Sequence, residues 1–98
     1  MKTEEYRKTS DFFNALSHPT RVEIVAELLK GKKCVSDIKE LVKLKQPNVS
    51  QHLSSLRLNG IVDWHQEGKR KCYFLKNPQL MKNILSLLEE AGKVIISG

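Results

Sequence analysis

Cysteine is scarce in this sequence: Cys34 and Cys72 are the two among 98 residues. They lack CxxC spacing and lie far apart, which excludes a small scaffold stapled by disulfides. No apolar run approaches the ~20 residues of a membrane span, so no membrane is expected as a partner. The first residues, MKTEEYRKTS, are polar and include two glutamates, with no pattern of a secretory signal; the cytoplasm is the expected location. No internal repeat, low-complexity tract or linker interrupts the chain, so residues 1–98 are expected to form one domain. Acidic residues are outnumbered, 11 against 17 basic, leaving a formal charge of +6. A small basic domain of this kind suits a polyanionic partner. Charged residues at 29% and hydrophobic ones at 40% mark a globular chain. A core built from so few residues is modest, and a second subunit would enlarge it.

The apolar spacing predicts the order helix, helix, helix, helix, hairpin, helix. Residues 3–16 carry Tyr6, Phe12, Phe13, Ala15 and Leu16 on a helical seam. Pro19 suits the first position of a second, strongly apolar helix, ending in a basic C-terminus around Gly31 with Lys30, Lys32 and Lys33. Ser36-Asp37 reads as N-cap and first turn of a short third helix through Ile38, Leu41 and Val42. A turn near Lys43 to Lys45 leads into a fourth helix from about Gln46 to Leu58, with Asn59-Gly60 as its stop. Ile61 to Gln66 and Lys71 to Leu75 read as a hairpin around Glu67-Gly68. Asn77-Pro78 opens a last helix, apolar almost all round, whose burial calls for a partner copy. The expected fold is thus mainly α with a small β-hairpin: a winged helix-turn-helix (α-α-α-α-β-β-α) forming a homodimer through its last helix, 77–94.

The stretch LKQPNVSQHLSSLRLNG, residues 44–60, carries the chemistry. Val49, Leu53 and Leu56 fall at i, i+4 and i+7 and form a narrow stripe toward the core. The remaining face holds Gln, Asn and Ser in place of the Glu and Lys of an ordinary solvated face. Gln and Asn donate and accept at once and can grip adenine bidentately in the major groove. Serine is short, lets the backbone approach, and bonds phosphate. No acidic residue between Lys45 and Asn59 would repel the phosphates. As a mere surface, these residues are poorer helix formers than Glu, Lys or Ala. In the hairpin, EGKRK (67–71) sets Lys69, Arg70 and Lys71 at or just after the tip. Phosphates beside the minor groove would relieve their mutual repulsion, and Arg70 suits a narrow groove. Trp64 and Val62 share one face of the first strand and read as wing packing.

The blocks ALSHPTRVEIVAELL, CVSDI, QPNVSQHLSSLRLNGIV and EGKRKCYFL together resemble the ArsR-type family of winged-helix repressors, from about Phe12 to Leu75. The resemblance implies a homodimer joined through its first and last helices, bound to double-stranded operator DNA and released by an inducer. Members of that family often have serine or threonine at the position of Lys45. Lysine cannot cap a helix in that way and sits at the unfavourable end of the dipole. A phosphate within reach would answer both faults, so Lys45 is expected to contact the DNA backbone.

Two inputs are open. Metal-sensing relatives have a second cysteine in the CVSDI block, where this chain has Ser36, or histidines on the last helix, where it has Glu89 and Glu90 alone. With His18, His52 and His65 scattered, no ligand set for a metal is visible, and no cofactor is expected. A metal-responsive repressor stands as the alternative. The second input is thiol chemistry. In winged helices the segment before the third helix can form a short strand beside the second wing strand, which would bring Cys34 to Cys72. Neighbouring Lys32, Lys33, Arg70 and Lys71 favour thiolates. A bridge forms without movement only if the Cα atoms lie within ~7 Å; otherwise the pair is two small strand residues with no redox task.

The expected function is a sequence-specific DNA-binding repressor, with Lys45, Gln46, Asn48, Ser50, Gln51, His52, Ser54, Lys69, Arg70 and Lys71 as DNA-binding residues and Cys34/Cys72 as a candidate redox pair. A winged-helix protein-interaction module without DNA binding would require an acidic or apolar face on the fourth helix. An enzyme is not expected, since no nucleophile, base and oxyanion arrangement is visible.

Overall fold

Proline and histidine set the start of the helix that organises the core. In the computed structural model, which describes residues 1–42 and 48–97 (93–97 by backbone alone), Pro19 is the first residue of α2 (Pro19–Leu28). His18 caps it, its Nδ1 accepting the Thr20 N–H at 3.1 Å. Before it, α1 (Thr3–Ala15) carries Glu4 and Glu5 in its first turn, the favourable end of the dipole. The basic C-terminus expected for α2 is not part of the helix. No basic residue lies in its last turn, and Gly31 turns the chain at φ +133°.

Lys33–Cys34 then form a two-residue strand, β1, absent from the expected element order but at the place where a winged helix can form a short strand before its third helix. It is too short for any periodicity to register and exists because a neighbouring strand pairs with it. The third helix, α3 (Val35–Val42), starts one residue before the expected Ser36 cap. Asp37 reaches back, its Oδ2 accepting the Cys34 N–H at 3.3 Å.

The fourth helix, α4, is described over Val49–Leu58. Its expected opening residue Gln46 and the turn near Lys43 to Lys45 lie outside the described residues. Its end is a reciprocal pair of backbone bonds: Gly60 N–H to Arg57 O and Ile61 N–H to Leu56 O, both 3.0 Å. That arrangement needs a left-handed residue, supplied by Gly60 at φ +73°. The chain leaves directly into β2 (Val62–Glu67), a tight turn with Gly68 at φ +62°, and β3 (Arg70–Leu75). Last comes α5 (Pro78–Ser97), with Asn77 Oδ1 accepting the Leu80 N–H at 3.1 Å.

The sheet is antiparallel in the order β1-β3-β2. Val62, Trp64, Tyr73 and Leu75 fall on one face by alternation and pack on the helices. The core joins Ile24, Val25 and Leu28 of α2, Ile38 and Val42 of α3, and Val49, Leu53 and Leu56 of α4 to that face, with Ala15 and Met81 from α1 and α5. On the opposite row, Cys34 pairs with Cys72 and Cys72 with His65. The cysteine Cα atoms are 3.7 Å apart and the two residues are joined by a disulfide. The geometric condition for bridging is therefore met.

Candidate nucleic-acid interface

The stripe on α4 behaves as its spacing requires: Val49 is 1% exposed, and Leu53 and Leu56 are fully buried. Burying it turns Ser50, Gln51 and Ser54 to solvent, with Asn48 exposed at the N-cap position. The side chains of Ser50, Gln51 and Ser54 make no hydrogen bond among the described residues, so their donors and acceptors are available to a ligand. Lys45 and Gln46, expected beside them, lie outside the described residues.

His52 departs from the expected interface. It is 7% exposed and points inward, because it sits one turn along the helix from the buried Val49. Its Nδ1 accepts Arg21 Nε at 3.1 Å, and its ring lies 4.4 Å from that of His18. Arg21 also donates from Nη1 to Ala15 O at 3.4 Å. One guanidinium thus ties the end of α1 and the start of α2 to α4. His52 acts as a brace behind the exposed face. Burial, followed by the charges of His18 and Arg21, lowers its pKa below the ordinary 6.5.

Two more charged contacts hold the wing to the helices. Asp63 on β2 accepts the Trp64 N–H at 2.8 Å and Arg57 Nε of α4 at 3.2 Å. These bonds, the backbone one first, hold its carboxyl below the usual range. Arg70 on β3 donates through Nη2 to Asp37 Oδ2 at 3.1 Å and Ser36 Oγ at 3.2 Å. The residue expected to reach a narrow groove is therefore folded back onto the start of α3. A carboxylate three positions after β1 takes the place expected for a phosphate. Lys71 Nζ lies 4.2 Å from the centroid of the Trp64 ring, a cation–π contact that fixes it on the sheet. Lys69, at the turn, is exposed and has no ionic partner among the described residues. On the outer row, Glu67 accepts Lys32 Nζ at 2.5 Å and contacts His65 Nε2. Lys32 and then His65 lower its pKa.

Between the wing and α4 lies a cavity of about 420 Å³, bordered by Ser50, Ser54, Lys69, Arg70, Lys71 and Cys34. Among the described residues, its walls include hydroxyls and cations and no acidic side chain. Among the described residues, no three His, Cys, Asp or Glu side chains gather as a metal-binding group. The contacts of Arg21, Arg57 and Arg70 were missed from sequence. Helical spacing does place His52 beside the apolar stripe, and that signal was present; the partners of the three arginines are set by tertiary contact.

A polar helix face presented beside a cationic wing defines a winged helix-turn-helix DNA-binding protein. Residues 18–63 match the bacterial regulatory protein arsR family. The chain is 35% identical over 89% of its length to 98% of an uncharacterized HTH-type transcriptional regulator, MJ1325, of Methanocaldococcus jannaschii. It is 38% identical over 80% of its length to 66% of the cadmium resistance transcriptional regulatory protein CadC of Listeria innocua. The solution structure of a homodimeric winged helix-turn-helix DNA-binding domain from Mycobacterium bovis superposes with a TM-score of 0.81 at 19% identity, covering 95% of this chain and 92% of that one. The chain belongs to the ArsR family of transcription regulators, which are not enzymes. The family expected from the sequence blocks is the family found.

A His52→Gln variant tests the brace. Native His52 has a depressed pKa, so the native state binds fewer protons than the unfolded state as pH falls through 6.5. The stability it contributes is present above 6.5 and is lost as pH falls toward its lower folded value. Thermal midpoints measured between about pH 7.5 and pH 5 should fall more steeply for the native protein than for the variant. Parallel profiles would refute the role.

Proposed function

We propose that this protein is a dimeric, sequence-specific repressor whose operator affinity is set by the redox state of Cys34 and Cys72. The observation that carries the redox part is the direct cross-strand pairing of the two cysteines at the base of the wing. In the disulfide form, β1 and the start of α3 are held against β3, keeping Ser36 and Asp37 within reach of Arg70. The guanidinium is then neutralised and withheld from DNA. Reduction leaves β1 a two-residue edge strand, free to separate, so that Arg70 can exchange Asp37 for a phosphate. The dithiol is the tight-binding form and oxidation releases the operator.

In this reading α4 enters the major groove. Gln51 and Asn48 read base edges, with Gln46 at the start of the same face. Ser50 and Ser54 approach phosphate or base, while Lys45, Lys69 and Lys71 supply phosphate contacts. Dimerisation rests on α1 and α5. Tyr6 and Phe13 are 62% and 59% exposed, and Leu87 and Leu88 are 66% and 61% exposed. An apolar groove between Phe12, Phe13, Leu80 and Ile84 continues that surface. The Mycobacterium bovis domain of like fold is homodimeric, and two copies set two α4 helices about one DNA turn apart.

A salt titration against duplex from the protein's own promoter tests DNA binding. Lys69→Ala should reduce the log–log salt slope by about 0.9 per protomer, uniformly across sequences. Gln51→Ala should cost about 1–3 kcal/mol on the operator alone. No duplex binding at low salt would sink the repressor reading.

Replacing Leu87 and Leu88 together by Glu should yield a folded monomer in sedimentation, with operator affinity down by about 10²-fold or more as the second half-site is lost. An unchanged mass would remove α5 from the interface.

For the redox input, oxidation should weaken operator binding about tenfold, the equivalent of one charge-assisted contact. The Cys34→Ser and Cys72→Ser variants should not respond. Equal affinity of disulfide and dithiol forms would end this part of the proposal.

A further inference from the structure

The cavity between the wing and α4 is bordered by one of the two cysteines and not the other. Cys34 is partly exposed and borders it, whereas Cys72 is fully buried and does not. Of the two cysteines, Cys34 is thus the one on the side from which a nucleophile in the cavity would approach. The walls it must pass carry Lys69, Arg70 and Lys71 with the hydroxyls of Ser50 and Ser54, and no carboxylate among the described residues. Arg70 is neutralised by Asp37, which leaves the two lysines as the unbalanced charge. At about 420 Å³, the space is of the size that takes a small molecule, within the common range of ligand pockets of roughly 300–1,000 Å³.

We infer that Cys34 is a site of S-thiolation by an anionic low-molecular-weight thiol, whose adduct lodges in this cavity. The thiolate RS⁻ attacks the Cys34 sulfur in line with the S–S bond. A Cys34–S–S–R bond forms, the Cys34–Cys72 bond breaks, and the electron pair leaves with Cys72, which takes up a proton as its burial requires. A second RS⁻ attacks the sulfur of the bound thiol, releasing RSSR and the Cys34 thiolate. The protein disulfide is reduced by two electrons and two RS⁻ are oxidised to RSSR. Negative charge on the thiol is selected because the cavity raises the local concentration of anions. The adduct and a DNA phosphate would occupy the same cations, so DNA shields the disulfide and the adduct excludes DNA. This inference rests on the redox reading above for its regulatory meaning, and on the cavity alone for its chemistry.

The experiment follows the oxidised protein by intact mass and peptide mapping. It is exposed in turn to glutathione (anionic), 2-mercaptoethanol (neutral) and cysteamine (cationic), at matched thiolate concentration. The expected adduct is on Cys34, formed with glutathione about tenfold faster than with cysteamine. That preference should collapse in about 0.5 M salt and in the Lys69→Ala/Lys71→Ala variant, and operator duplex should slow the reaction. The salt arm stands if the double variant fails to fold. Adducts on Cys72, or equal rates for the three thiols, overturn the inference. A charge-selected adduct on Cys34 together with equal operator affinity of the dithiol and disulfide forms keeps the thiol site and sinks the redox switch. Redox-dependent affinity without charge selection does the reverse.

Discussion

The burial of one narrow stripe, Val49, Leu53 and Leu56, is the constraint on which the rest of the structure depends. Each such side chain contributes roughly 1.5–3 kcal/mol on leaving water, and together they fix the rotation of α4 about its own axis. Rotation is what matters for a reading helix. A turn of the helix by one residue would carry Ser50 and Ser54 into the core and an apolar side chain to solvent. The same burial forces His52 inward, where Arg21 accommodates its imidazole. The polar face and the buried brace are thus two consequences of one packing decision.

The wing is held by charge as much as by apolar contact. Arg57 to Asp63 binds the end of α4 to β2, and Arg70 to Asp37 binds β3 to the start of α3. All four side chains are substantially exposed, so neither pair is worth much as a stabilising contact. Their effect is on position: each sets where a strand lies relative to the helix it is paired with. The Arg70 contact also couples that position to the disulfide beside it, because Asp37 accepts the backbone N–H of Cys34 as well as the guanidinium.

Much of the architecture was legible in the chain. The helical seam of residues 3–16, Pro19 as a first helical residue, the Asn59-Gly60 stop and the Asn77-Pro78 start all correspond to observed boundaries within a residue or so. These are local signals, carried by backbone geometry that proline, glycine and capping side chains set within a few positions. The misreadings share a cause. The lysines after Leu28 read locally as a helix end, Ser36 as a cap, and the side chains of His52 and Arg70 as turned outward. In each case a partner distant in sequence, or the bend of Gly31, redirected a residue whose local context pointed elsewhere.

The sequence by itself determined the element order, the apolar stripe of α4, the uncharged face beside it and the family. It did so because period, caps and composition are properties of neighbours along the chain. A strand at Cys34 and its meeting with Cys72 were open possibilities in the chain that only the tertiary structure decided, and it alone showed that Arg70 turns back to Asp37. A two-residue strand has no period to read, and pairing across the sheet is set by which strands the core brings side by side.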